Sequence, residues 1–221
     1  MSANPSVVVP RRALATRQAR WARALAHRLA TLGVRPNAVS IASVGCALVS
    51  AAAFLSSSRW PDEGRAGLLL VSAAGIQLRL LCNLLDGLLA VEEGLKGSAG
   101  EIYNDLPDRL ADVLILVGAG YAATDVPTAT PIAWAAAVAA VFTAYVRLLA
   151  GSLGLTPRFL GPMAKQHRMF TLTAATLASA VEALCGTPAR TLVVGLWVIT
   201  AGSIVTVVRR TRSMLTEAGA R

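Results

Sequence analysis

Apolar residues dominate six segments of the chain, and polar residues collect between them. A helix crosses the apolar part of a bilayer with about 20 residues, at a rise of about 1.5 Å per residue. All six segments are close to that length, so the pattern predicts an all-α integral membrane protein with six transmembrane helices. The predicted spans lie near residues 38–58, 67–90, 104–124, 130–151, 168–186 and 189–208.

A different pattern precedes the first span. Between residues 10 and 35, arginines alternate with leucines and one tryptophan at helical spacing, and no acidic residue occurs. This pattern predicts an amphipathic helix on an anionic membrane surface, although a mitochondrial presequence has a similar composition. The predicted organisation is a basic N-terminal segment (1–35), a six-helix transmembrane catalytic domain (36–210) and a cytoplasmic tail (211–221).

Composition supports membrane insertion. The chain is 55% hydrophobic and only 15% charged, whereas about a quarter of the residues of a soluble domain are charged. Its net charge is +9, but the basic residues lie at the ends of apolar segments, which favours a lipid bilayer over nucleic acid as the partner. The positive-inside rule places both termini on the cytoplasmic side, and we expect the cell inner membrane as the location.

Acidic and amide side chains recur at helical spacing where the second and third predicted spans are connected. Asn83, Asp86, Gly87 and Ala90 stand at i, i+3, i+4 and i+7, so they share one helix face. A second polar face on the next helix contains Asn104, Asp105, Asp108 and Asp112. Both faces are predicted at the cytoplasmic ends of their spans, where they can meet.

Converging carboxylates repel one another unless a cation lies between them. Hard divalent cations prefer oxygen ligands, so the cluster predicts a Mg²⁺ or Mn²⁺ site for a phosphate or diphosphate substrate. The oxygen-bearing side chains of the cluster are Asn83, Asp86, Asn104, Asp105, Asp108 and Asp112. A solvated acidic loop is the alternative interpretation.

Basic residues near the fourth and fifth spans form a second candidate site. Arg147, Lys165 and Arg168 would suit an anionic acceptor or a lipid phosphate, and topology-determining charge is the alternative. Arg79 lies one turn before Asn83. It is either a salt-bridge partner of Asp86 or a site residue, and the sequence leaves both open.

The spacing of the acidic cluster resembles the signature of the CDP-alcohol phosphotransferases, DxxDGxxAR, eight residues, then GxxxDxxxD. This chain reads NxxDGxxAV, eight residues, then GxxxNxxxD. The departures are Asn83, Val91 and Asn104, and every gap is preserved. The matching positions are Asp86, Gly87, Ala90, Gly100 and Asp108.

The resemblance implies transfer of a phosphatidyl group from a CDP-linked donor to a small alcohol acceptor, with release of CMP, in phospholipid synthesis. CDP-diacylglycerol is the donor expected, and a CDP-polar alcohol with a lipid acceptor is the alternative. A homodimer is the expected assembly. By position, Asp108 would be a metal ligand and the general base, and Asp86 a metal ligand. Asn83 and Asn104 would be candidate ligands through their side-chain oxygens, and Asp105 and Asp112 could compensate for the two missing charges. Gly87, Ala90 and Gly100 would accommodate the CDP moiety.

Two other functions compete with this one. A catalytically impaired relative that binds CDP-lipid, or serves as a partner subunit, is favoured by the two asparagines and Val91. A small transporter would also use intramembrane acids, but the clustering of acids at one membrane face argues against it. The sequence does not identify the acceptor alcohol.

Overall fold

The computed structural model describes residues 19–91 and 100–220, without the side chains of residues 100, 101, 103 and 104. The described residues form seven α-helices. These are α1 (Arg20–Thr31), α2 (Pro36–Ser57), α3 (Asp62–Val91), α4 (Gly100–Tyr121), α5 (Ala129–Ser152), α6 (Lys165–Leu184) and α7 (Arg190–Gly219).

The prediction of an all-α protein is confirmed, and each predicted span falls on one of the helices α2 to α7. Four of them, α2, α3, α5 and α7, are long and apolar enough to cross a membrane. The sequences of α4 and α6 contain charged residues of the site described below, and α6 also contains Glu182 near its other end. The count of six spans therefore stays a prediction.

Six helices form a closed ring. Contacts join α2 to α3, α3 to α6, α6 to α7, α7 to α5, α5 to α4 and α4 back to α2. Large apolar side chains such as Leu48, Trp134 and Trp197 point outward and are exposed, whereas alanine is the commonest buried residue between the helices. Small residues allow helices to approach closely, and an apolar exterior is what contact with lipid requires.

Helix α2 lies between α3 and α4 at close range. A Cβ placed on Gly75 of α3 would lie 2.9 Å from the Ser50 side chain, and one placed on Gly118 of α4 would lie 3.1 Å from the Ala51 backbone. The Ser50 and Ser72 hydroxyl groups also donate to each other's backbone carbonyl groups across α2 and α3. Two adjacent residues of α2 therefore pack against both of its neighbours.

Helix α1 packs on the end of α3 that contains the acidic motif. Its buried residues are Ala22 and Ala26, which belong to a cluster with Leu85, Leu88 and Leu89. Trp21 is exposed, as a side chain that enters a membrane interface would be. The interfacial position of this helix stays a prediction, and residues 1–18 lie outside the described part of the chain.

Candidate active site

The predicted site residues converge at one end of the helix ring. This is the end where α2, α4 and α6 begin and where α3, α5 and α7 finish. The antiparallel order follows from the contact between Ser40, near the start of α2, and Asp86, near the end of α3. The acidic motif and the basic residues of the second candidate site belong to one network.

Asp112 lies at the centre of that network. Its Oδ1 is 2.6 Å from Nη2 of Arg79, and its Oδ2 is 2.6 Å from Nη2 of Arg168. All three side chains are buried, with at most 1% of each exposed. Arg168 also approaches the Thr143 hydroxyl at 3.5 Å. One carboxylate therefore joins α4 to both α3 and α6.

Asp108 lies one turn nearer the start of α4 and contacts a different set of cations. Its Oδ2 is 2.5 Å from Nζ of Lys165, and its Oδ1 is 3.5 Å from Arg79. Arg79 also donates to the Asp108 backbone carbonyl at 3.1 Å. Burial lowers the pKa of Lys165, which precedes the predicted fifth span, while the Asp108 carboxylate opposes this shift.

Asp105 continues the network toward solvent. Nη2 of Arg147 donates to its Oδ1 at 2.8 Å, and Arg109 lies 3.5 Å from the same atom. Arg109 also lies 3.8 Å from Oδ2 of Asp108, and Arg147 lies over the ring of Phe159. The side chains of Asp105 and Arg147 are partly exposed, so they mark the open side of the site.

The α3 side of the site has a different character. The Ser40 hydroxyl donates to Oδ2 of Asp86 at 2.7 Å, and Asp86 is 3% exposed. The Asp86 Oδ1 and the amide nitrogen of Asn83 are both buried, and neither has a hydrogen-bond partner among the described residues. Gly87 is buried beside them and has no side chain to fill the space on that face.

The charge balance of the network favours an anion. Three carboxylates, Asp105, Asp108 and Asp112, contact five basic side chains within the described part of the chain. The five are Arg79, Arg109, Arg147, Lys165 and Arg168. Asp86 adds a fourth carboxylate, so the basic side chains exceed the acidic ones by one. A cleft with a surplus of one sign of charge attracts ligands of the opposite sign, and here the ligand would be negative.

A divalent metal fits only part of the predicted ligand set. Among the described residues, no three acidic, histidine or cysteine side chains gather as a metal-binding group. The two oxygens of Asp108 contact Arg79 and Lys165, so basic side chains already neutralise them. The buried, unpartnered Oδ1 of Asp86 does fit one hard cation, because an isolated buried carboxylate oxygen is costly. The unpartnered atom of Asn83 is a nitrogen donor, so Asn83 would contribute its amide oxygen.

A small cavity adjoins the open side of the network. It is lined by Arg147, Thr156, Arg158, Arg210 and neighbouring apolar groups. Arg210 is nearly buried and donates to the backbone carbonyl groups of Leu160 and Thr143. From the sequence, Arg210 is expected only as a topology-determining charge after the last span. Its position at the end of a long apolar stretch is the one signal that could have indicated a structural role.

Comparison with solved structures gives matches over almost the whole chain. Phosphatidylinositol phosphate synthase of Mycobacterium tuberculosis, solved with CDP-DAG bound, is 21% identical, with a TM-score of 0.76 over 91% of this chain and 97% of that chain. The same synthase solved with manganese and citrate gives a TM-score of 0.74 at 21% identity, over 90% and 91% of the two chains. This chain shares its fold.

The apo form of that synthase has the same fold, with a TM-score of 0.72 at 21% identity over 89% of this chain and 97% of that chain. No protein-family model and no curated protein matches the sequence. At this identity the likeness concerns the fold, so the roles of individual residues rest on the geometry given above.

The structure brings together most of the predicted site residues. Asp86, Asp105, Asp108, Asp112, Arg147, Lys165 and Arg168 lie at one end of the ring, with Asn83, Gly87 and Ala90 on α3 beside them. The side chain of Asn104 and the surroundings of Gly100 lie outside the described residues. Arg79, whose partner the sequence left open, contacts Asp108 and Asp112.

Proposed function

We propose that the chain is a membrane-embedded transferase that moves a phosphatidyl group from a CDP-linked donor, CDP-diacylglycerol, to a small alcohol acceptor and releases CMP. One observation carries the proposal. The motif residues Asp86 and Asp108, which are separated in sequence, lie at the same end of a helix ring that has the fold of a synthase solved with CDP-DAG bound.

The α3 face is proposed to receive the nucleotide. Gly87 is buried and Ala90 is half-buried, so the helix surface beside Asp86 is free of bulky groups. A Mg²⁺ or Mn²⁺ ion held by Asn83 and Asp86 would neutralise negative charge on the donor diphosphate. The synthase of the same fold was solved with manganese, which supports a divalent ion without identifying which one this chain prefers.

Asp108 is proposed as the general base. Its carboxylate would accept the proton of the acceptor hydroxyl, whose oxygen then attacks the phosphorus atom that bears the diacylglycerol group. The bond to CMP breaks as the new ester bond forms. Asp105 and Asp112 are proposed to hold the surrounding cations and to supply further oxygen ligands to the site.

The basic residues are proposed to bind the anionic parts of the substrates. Arg147 and Lys165 are partly exposed at the open side of the site and would contact ligand directly. Arg168 is 1% exposed and bonds to Asp112, so its proposed contribution is indirect, through the position of that carboxylate. The distinction between direct and indirect contribution to ligand binding rests only on how far each of these side chains is exposed.

The test is release of CMP from purified protein. Incubation with CDP-diacylglycerol, Mg²⁺ or Mn²⁺ and a panel of alcohols should release CMP with at least one alcohol. Asp108→Ala should lower the rate by at least about a hundredfold, the usual contribution of a general base. Absence of release with every donor and alcohol, from protein that remains folded, would contradict the proposal.

A second candidate function is a binding protein or partner subunit for CDP-lipid. Two observations favour it. Both oxygens of Asp108 contact basic side chains, and asparagine stands at positions 83 and 104. A protein of this kind would bind CDP-diacylglycerol and release no CMP. Equilibrium binding measured beside the CMP assay separates the two functions.

The same proposal includes an assembly and a location. We expect a homodimer in the cell inner membrane, with both termini and the site on the cytoplasmic side. The surplus of positive charge at the site end supports that orientation. Small residues on the helices are compatible with close packing between two subunits.

A further inference from the structure

The two oxygens of Asp108 are held in different ways. Oδ1 lies 3.5 Å from Arg79, whose side chain is fully buried and also bonds to Asp112 at 2.6 Å. Oδ2 lies 2.5 Å from Nζ of Lys165, whose side chain is 25% exposed. One oxygen is therefore held by a cation enclosed in the protein, and the other by a cation that a ligand can reach.

The buried ion pairs of the network are balanced without Lys165. Arg79 and Arg168 carry two positive charges, and their partners Asp108 and Asp112 carry two negative charges. The ammonium group of Lys165 is therefore not needed to neutralise these four groups, and the separate buried carboxylate of Asp86 accepts a hydrogen bond from Ser40. A lysine presents a compact charge on a flexible stem, whereas the guanidinium groups of Arg79 and Arg168 are planar and enclosed in the protein.

The position of Lys165 in the chain also allows its side chain to change partner. It is the first residue of α6, and it follows a connection that contains Gly161, with a φ of 109°, and Pro162. Its own backbone is thus at a helix end, whereas Arg79 lies within α3. Movement of the Lys165 side chain would leave the buried ion pairs of Asp112 intact.

We propose that Lys165 exchanges partners: it holds Oδ2 of Asp108 in the ligand-free protein and moves to a phosphate oxygen of the bound ligand, which leaves Oδ2, among the described residues, with only the longer 3.8 Å contact to Arg109. The consequence of this exchange for catalysis rests on the proposed function, because Asp108 can act as a general base only when Lys165 no longer holds its Oδ2. The exchange itself requires only a ligand with a phosphate group, which either the donor or the acceptor can supply.

The exchange makes Asp108 and the ligand phosphate competitors for one cation. Asp108→Asn removes the competing charge, so it should tighten binding of CDP by about tenfold in the absence of metal. Lys165→Gln should weaken CDP binding by a similar factor. Neither substitution should alter the binding of cytidine, which has the same base and sugar but no phosphate.

The experiment is calorimetric titration of detergent-solubilised protein in EDTA with CDP, cytidine and glycerol 3-phosphate. The variants are Asp108→Asn, Lys165→Gln, their combination, and Arg212→Gln, an exposed basic residue of α7 that serves as control. The gain in affinity for the phosphate ligand that Asp108→Asn produces should vanish when Lys165→Gln is added. If only glycerol 3-phosphate shows the effect, the acceptor phosphate is the group that Lys165 binds.

A measurement on the unsubstituted chain protects the test against misfolded variants. The chain has two lysines, Lys96 and Lys165, so ¹⁵N-labelled lysine gives two side-chain signals, and Lys96→Arg assigns them. CDP or glycerol 3-phosphate should shift the Lys165 signal, whereas cytidine should not. The proposed exchange is wrong if neither phosphate ligand shifts the Lys165 signal. It is also wrong if Asp108→Asn tightens the binding of neither phosphate ligand.

The outcome is separable from that of the proposed function. Tighter binding in Asp108→Asn without any CMP release would support the exchange in a protein that only binds CDP-lipid. CMP release together with weaker binding in Asp108→Asn would support the transferase and overturn the exchange, because Asp108 would then aid ligand binding instead of opposing it.

Discussion

One helical turn separates Asp108 from Asp112, and the surroundings of the two carboxylates differ. Asp112 is enclosed between the side chains of Arg79 and Arg168, whereas Asp108 also reaches the partly exposed Lys165. A carboxylate enclosed by two arginines is fixed in place, and one that faces an exposed lysine can take part in binding. Of the two, Asp108 is therefore suited to chemistry and Asp112 to holding the helices together.

The ion pair between Arg79 and Asp112 leads to a prediction on stability. Arg79→Met leaves Asp112 with one cation in a buried environment, so we expect the free energy of unfolding to fall by roughly 3–5 kcal/mol. Adding Asp112→Asn should cost less than the same substitution costs in the unsubstituted chain, because one of the two ion pairs of Asp112 is already lost. Denaturant unfolding of the two single variants and the double variant measures the coupling energy between Arg79 and Asp112. If the losses in the free energy of unfolding are additive, the two residues are not coupled and the prediction is wrong.

The sequence predicted the acidic residues of the site better than their partners. The i, i+4 spacing is enough to place Asp108 and Asp112 on one helix face, because helix geometry alone decides it. The partner of Arg79 depends on which helices lie opposite each other, and helical spacing carries no information on that. Sequence reasoning therefore left Asp86 open as a partner, and the structure gives Asp108 and Asp112.

At the scale of the helix, Glu182 explains an irregular feature of the sequence. An acidic residue makes the fifth predicted span the weakest of the six. In the structure its carboxylate accepts hydrogen bonds from the Thr191 amide at 3.0 Å, from the Thr191 hydroxyl and from the Ser179 hydroxyl at 2.9 Å. The Ser179 hydroxyl in turn accepts a hydrogen bond from the Leu192 amide. The end of α6 therefore caps the start of α7, whose own N-cap residue provides no side-chain bond.

We expect Glu182→Ala to destabilise the first turn of α7 by about 1–2 kcal/mol, the usual effect of removing a cap. Hydrogen exchange of the Thr191 and Leu192 amides should become faster, while amides in the middle of α7 change little. Glu182→Gln keeps an acceptor oxygen, so it should destabilise the first turn of α7 less than Glu182→Ala does. Equal exchange rates in wild type and Glu182→Ala would show that the cap contributes nothing.

At the scale of the whole molecule, the ring has two ends of different chemistry. The candidate site with its basic residues lies at one end, whereas the other end has the ion pair of Arg65 with Asp125 and the cap of α7. The predicted orientation directs the site end toward the cytoplasm. Cys185, which is exposed just after α6, lies at the opposite end.

Cys185 provides a direct test of that orientation. A membrane-impermeant thiol reagent should label it in intact spheroplasts, and Cys185→Ser should abolish the labelling. In that background, Arg212→Cys should be labelled only after the membrane is permeabilised, because the end of α7 lies on the site side. The reverse pattern would mean that the protein is inserted with the site facing outward.

The ring also affects how the site can diverge between related proteins. The two halves of the motif are on α3 and α4, and α2 packs against both through adjacent residues, Ser50 toward Gly75 and Ala51 toward Gly118. A larger side chain at position 50 or 51 would push α2 away from α3 or α4, while every charged group of the candidate site stays the same. The spacing of the two motif helices can therefore vary through a helix whose side-chain hydrogen bond to the candidate site comes from Ser40.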